Sequence, residues 1–333
     1  MADSPQRPQP PLSPNDALPP VEPPSAGFIV QLFVIPAVIV AIIIIVWATF
    51  NWLAHMGSDP RAHVEALKRN NEGRWQEAVN LANELNRTGN EALRRDEAML
   101  RELTTLLDSE MTAASMEDKD VSFRMYLCRT IGEFYLPAAL PPLVKAVETN
   151  RAPAERDVRL GALQALARLL PNITKDKPEN DPNLRRALEA ASKDDDPVVR
   201  YHAAYDFGVL GDQASQDRLE VMLNDANVDV RMNAATGLAR HGNAACVEEL
   251  AKMLDPAETA GLDAEQEPEA REAKRFTMFA NALEAVKQFA AKNPKADVKP
   301  LVTGLDKLLA SDPPANIRLA AEDVRRDLQK RGS

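Results

Sequence analysis

The 333-residue sequence predicts an all-α protein, an α-solenoid of stacked helical hairpins preceded by a single transmembrane helix. Three observations carry that expectation. The phrase DDPVVRYHAAYDFGVLGD, residues 195–212, returns 31 residues later as ANVDVRMNAATGLARHGN. Repetition at this length marks a supersecondary unit whose apolar side is closed by its neighbour. A run of 23 residues without charge, Phe28 to Phe50, stands near the start of the chain. Aromatic residues make up only 5% of the sequence while Ala and Leu abound, which favours closely stacked helices over a sheet core.

Residues 1–27 hold nine prolines among Ser, Gln, Asn and small residues, so they predict an extended, disordered tail without a core. The tail reads as a spacer, with a ligand for a proline-recognising domain as the sharper alternative. As a helix, residues 28–50 extend roughly 34 Å at about 1.5 Å per residue. That length crosses a bilayer with every backbone polar group bonded internally. Trp47 and Trp52 stand near one end, where indole rings favour the headgroup region, and Pro36 predicts a kink. A cleaved signal peptide would need a basic leader and a shorter apolar core. The leader has one basic residue, Arg7, against Asp3, Asp16 and Glu22, so an uncleaved anchor is expected. Arg61, Lys68, Arg69 and Arg74 follow the span. The positive-inside rule then places the C-terminal domain in the cytoplasm, on a single-pass protein of the inner membrane.

Residues 54–110 are expected to form a helical hairpin cap and a linking helix. In HVEALKRNNEGRWQEAVNLANELN, residues 63–86, Val64 and Leu67 make one apolar edge and Gly73 the turn. Trp75, Ala78, Val79 and Leu81 or Leu85 make the second edge. The G.W.EA core resembles one tetratricopeptide-like unit. A third helix is predicted over residues 91–110. These helices would shield the apolar side of the first repeat and couple it to the membrane.

Residues 115–330 carry the repeats. Aligned on Val199-Arg200 and Val230-Arg231, the two phrases also superpose Ala203 and Ala204 on Ala234 and Ala235, and Gly211 on Gly242. Fainter copies put Arg124, Arg159, Arg275 and Arg318 in the same place, at successive spacings of 35, 41, 31, 44 and 43 residues. Insertions explain the long gaps: PNITKDKPENDPN after Leu170, and an acidic stretch at 255–275. Within one unit Asp196 is placed to cap a helix and Pro197 to occupy its first position, where no N–H is needed. Val199, Ala203, Ala204, Phe207 and Leu210 recur at three and four residues as a buried stripe, and Gly211 closes the helix. A second helix follows in QDRLEVMLND, and again in VEELAKMLD.

This pattern resembles HEAT repeats, above all the short bacterial variety with Asp or Asn before the first helix, VR near its start and AA..L..G after it. The resemblance covers residues 194–254 most closely, then 154–170, and more faintly 120–134, 270–289 and 313–328. It implies a right-handed α-solenoid in which the recurrent arginines bond acidic caps or carbonyls of neighbouring repeats. On that view Arg200 and Arg231 are structural rather than a ligand-binding ladder.

Little in the chain speaks of chemistry. The formal charge of −10 argues against a broad nucleic-acid surface, which needs concentrated Lys and Arg. Cys128 and Cys246 form no paired framework, and no GxGxxG, GxxxxGK or HExxH motif appears. His55 and His63 make a poor metal pair, while His202 and His241 occupy different positions of adjacent repeats. Asp194, Asp195 and Asp196 read as capping and solvation at a helix N-terminus rather than a cation site. The acidic insertion reads as a flexible excursion with a helix from about Pro268, or as a contact for a basic partner. Asn86 and Asn172 begin short glycosylation-type triplets that a cytoplasmic domain would make irrelevant.

No catalytic, cofactor-binding or metal-ligating residue is therefore assigned, no cofactor is expected, and the chain is not expected to be an enzyme. The expected function is a membrane-anchored scaffold or adaptor that binds another protein, such as part of a transport or envelope assembly. Short HEAT-like repeats also occur in bilin lyases, so an accessory bilin-lyase-like or other small-molecule-handling protein is the alternative. A third is a domain outside the cytoplasmic membrane that organises the envelope.

Overall fold

The computed structural model describes residues 23, 25–55, 60–69 and 71–331, and every regular element among them is helical. The tail at 1–22 and Pro24, the side chains of Trp52 and His55, and Asn70 within the first hairpin lie outside what is described. The chain divides into two compact units, residues 1–59 and 60–333.

The first unit holds α1, Ala26–His55, which extends the apolar stretch at both ends. The Ser25 hydroxyl accepts the Phe28 N–H at 3.2 Å, and Thr49 Oγ1 donates to the Ile45 carbonyl at 2.7 Å. The hydroxyls at both ends thus find backbone partners, as an apolar surrounding requires. Ile43 and Ile45 are more than 60% exposed, so the apolar surface of α1 is not consumed by packing. Among the described residues α1 is the one helix long and apolar enough to cross a membrane.

The second unit is a solenoid of helical hairpins. It runs α2 (Pro60–Leu67), α3 (Arg74–Asn86), α4 (Glu97–Ala113), α5 (Asp118–Ile131), α6 (Leu140–Val147), α7 (Arg156–Leu169) and α8 (Pro182–Ala191). It continues with α9 (Pro197–Leu210), α10 (Gln213–Met222), α11 (Val228–Arg240), α12 (Val247–Met253), α13 (Pro268–Lys292), α14 (Lys299–Ala310) and α15 (Ala315–Arg331). The odd helices α3 to α15 pack each on the next and form one layer. On the other side α2, α4, α6 and α8 follow one another, α10 fills the space on α9 and α11, and α12 packs on α14. One continuous apolar core lies between the layers.

The best-matched pair shows why the repeat folds. The Asp196 carboxylate accepts the Val198 N–H at 2.7 Å, Pro197 occupies the first turn, and Val199, Ala203, Ala204 and Phe207 are fully buried. Gly211 ends α9 at φ +65°, a left-handed conformation that costs Gly little. In α11, Asn227 accepts the N–H groups of Asp229 and Val230 at 2.9 and 3.2 Å. The two helices touch at Gly208 and Gly237, where a Cβ on Gly208 would stand 2.8 Å from the Gly237 Cα.

Two local expectations change. The third helix starts at Glu97 rather than 91, because Asp96 turns its side chain onto the Met99 N–H at 2.9 Å and caps α4 there. The acidic insertion is a docked segment, not an excursion. Leu262 is 1% exposed, and Gly261 lies so close to Val228 that a Cβ would meet it at 2.5 Å. Arg275 donates to the Pro256 carbonyl at 2.5 Å and Lys274 pairs with Glu265 at 3.5 Å, which ties the segment to α13, while Lys274 also reaches Asp229 of α11 at 3.2 Å.

Candidate functional site

The recurrent arginines build the stack. Arg200 on α9 donates to the carbonyls of Asp194 and Asp195 at 2.8 and 3.1 Å, and through Nε and Nη2 to both oxygens of Asp225 at 2.8 and 2.9 Å. Arg159 pairs with Asp194 at 3.2 Å, one repeat earlier, and Arg231 with Glu249 at 3.4 Å, one later. Asp194 and Asp225 also accept the N–H groups of the capping residues Asp196 and Asn227. Each carboxylate thus fastens its own cap and the preceding repeat. Asp225 is held below the usual aspartate range, chiefly by the Arg200 hydrogen bond.

The outward side of the odd-helix layer is different. A cleft of about 620 Å³ crosses α3, α5, α7 and α9, and is lined among others by Asn83, Tyr126, Arg129, Gln164, His202 and Tyr205. A second cleft of about 340 Å³ lies between α9, α11, α13 and the docked insertion, with Val198, Met232, Leu262, Lys274 and Met278 in its wall. Tyr201 lines both. The rings are fixed: Trp75 stacks on Tyr126 at 5.4 Å, and Tyr201 meets His202 edge-on at 5.2 Å. Asn233 on α11 donates to the Tyr201 carbonyl at 2.8 Å and pins α9 at that point.

The sequence singled out His202 as a cap, surface or packing residue; it lies half-buried in this cleft, 3.3 Å from Gln164. Burial first, and the Arg129 charge second, hold its pKa below the ordinary histidine value, so it is neutral near pH 7. His241 packs apart from it, donating to the Gly208 carbonyl at 2.8 Å, and His63 meets Glu77 at 2.6 Å. In the Asp194–Asp196 run Asp196 caps as expected, but Asp194 and Asp196 are paired with Arg159 and Arg156 where solvation was expected. Tyr201 and Tyr205 were not marked by sequence reasoning. The signal was their departure from the adjoining repeat, which has Met232 and Thr236 at those places.

Burial pushes the thiols of Cys128 and Cys246 up to about 12, which leaves neither a thiolate nucleophile at neutral pH. Among the described residues no group of three or more His, Cys, Asp or Glu converges as metal ligands would.

This architecture defines an all-helical repeat protein of the solenoid kind. Residues 184–266 match the family of HEAT repeats, which makes this stretch a HEAT-like repeat region. No curated protein matches the chain. Among solved structures it is similar to an engineered protein of the Northeast Structural Genomics Consortium, 14% identical with a TM-score of 0.39, covering 82% of this chain and 98% of that one. It is also similar to YibA of E. coli, 17% identical with a TM-score of 0.38, covering 81% and 93%.

Proposed function

We propose that the protein is a non-catalytic scaffold, held at the cytoplasmic membrane by residues 28–50, whose HEAT-like solenoid over 115–330 docks a protein partner. The observation that carries the reading is the pair of clefts along the odd helices, which share Tyr201 as a wall residue across successive repeats. A solenoid repeats one helix face at regular intervals, and such a face suits an extended partner better than a compact substrate.

On this reading residues 1–27 are a spacer and 54–110 a cap with one tetratricopeptide-like hairpin. The buried Arg74, which bonds Glu110 and Asp120, supports the cap by fastening α3 to α4 and α5. The basic residues after the span favour a cytoplasmic solenoid, and the partner belongs to a membrane or envelope assembly.

The test is crosslinking in membranes followed by mass spectrometry, on the intact protein and on a form lacking residues 1–53. Recovery of one discrete partner by both forms supports docking by the solenoid, and recovery of none by the intact chain contradicts it. Reporter fusions at both termini give the topology. A second reading, small-molecule handling, draws on the smaller cleft, whose Met232, Met278 and Leu262 wall suits an apolar group.

A further inference from the structure

Two arginines at this surface stand apart from the rest. Elsewhere in the solenoid the half-buried guanidiniums are answered by protein acceptors: Arg200 by Asp225, Arg185 by Asp212, Arg218 by Ser192. Arg129 on α5 and Arg240 on α11 are also half-buried. Among the described residues neither receives an acceptor; Arg129 lies over the Tyr126 ring at 5.3 Å and Arg240 over Tyr205 at 5.5 Å. The Arg129 Nε is buried with no hydrogen-bond partner. The sole carboxylate in the wall of the larger cleft, Glu133, is already paired with Arg168. A chain with a formal charge of −10 therefore carries a local cationic strip with two unanswered forks.

A guanidinium drawn partly out of water without a counter-charge costs stability, while a planar fork over an aromatic ring is pre-set for bidentate carboxylate binding. We propose that this strip binds an extended acidic peptide segment of the partner, with one carboxylate on Arg129 and a second on Arg240. The proposal rests on the scaffold reading given above and specifies its partner.

Neighbouring helices lie about 8–10 Å apart, so the step from Tyr126 on α5 to Tyr205 on α9 covers about 16–20 Å. At about 3.3 Å per residue, five or six residues of extended chain bridge it. Asn83 and Gln164, also in the cleft wall, carry both donors and acceptors for the backbone of such a chain. A nucleic acid would demand many more cations than this strip holds.

The test uses the full-length chain in neutral detergent and fluorescence anisotropy with labelled ten-residue peptides of Ala, Ser and Gly. One carries two Glu six positions apart, and the other has Gln in both places. Binding of the Glu peptide is expected, at least tenfold weaker for the Gln peptide and for the Arg129→Gln/Arg240→Gln double variant. The peptide exchange reads the same contact without altering the protein fold. Equal binding of the two peptides overturns the proposal. So does saturable binding of an oligothymidylate or of phosphatidylglycerol vesicles in place of the Glu peptide, or capture only of a second copy of this chain. If the double variant loses the peptide yet crosslinks to the membrane partner at the wild-type yield, this inference fails and the scaffold reading stands. If the wild type crosslinks to no partner, the scaffold reading fails.

Discussion

Arg200 of one repeat grips Asp225 of the next through Nε and Nη2, at 2.8 and 2.9 Å, while Asp225 accepts the Asn227 N–H at 2.8 Å. The pair joins two hairpins and the cap of the second helix. Arg200→Ala is expected to destabilise the solenoid by about 1.5–3 kcal/mol, the range for a charged hydrogen bond lost at a partly buried site. Denaturant unfolding followed by circular dichroism measures it. Because the folded-state pKa of Asp225 is lowered, its contribution is present above the ordinary value of 3.8 and is lost as pH falls through the depressed value. In Arg200→Ala that acid loss shrinks, which a pH series on both proteins detects.

Gly208 and Gly237 allow α9 and α11 to touch, and a Cβ at Gly208 would sit 2.8 Å from backbone. Gly208→Ala therefore forces the helices apart, at about 1–3 kcal/mol. Gly73→Ala, where the nearest atom is 4.0 Å away, is the control and changes the midpoint little.

Asp206 of α9 is fully buried, and neither carboxylate oxygen has a hydrogen-bond partner. Burial raises its pKa well above 3.8. A raised folded-state pKa means that stability is full below the unfolded value and declines as pH rises toward the folded one. Asp206→Asn removes that decline. The variant is expected to gain stability relative to wild type between pH 4 and pH 8, and a flat difference across this range would contradict the assignment.

His202 is expected to titrate below 6.5 in carbon-13 histidine spectra of the full chain. Arg129→Ala raises its midpoint only partway, since burial outranks the Arg129 charge. A lowered histidine pKa means that stability is lost as pH falls below 6.5, where the unfolded chain takes up the proton first.

The repeat over 195–243 was legible because its determinants are local. Asp196 and Asn227 cap within three residues, and Gly211 sits where the chain must turn left-handed. The long apolar helix over 28–50 was legible from length and charge alone. The cleft surface was not, because Asn83, Arg129, Gln164 and Tyr205 come from four helices and line one wall only through stacking that no single window encodes. The docked insertion was hidden for a related reason: one apolar residue, Leu262, anchors a segment whose composition is dominated by acids. Asp96 illustrates the reverse error, where a charged run read as helix concealed a cap.

The odd-helix surface is best tested by photo-crosslinking in membranes from single positions: Tyr205, Asn83 and Asn281 on that layer, and Val221, exposed on α10. Docking on the odd-helix layer predicts one discrete protein adduct from the first three positions and none from Val221. An adduct from Val221 with none from the odd-helix positions would place recognition on the opposite layer and contradict it.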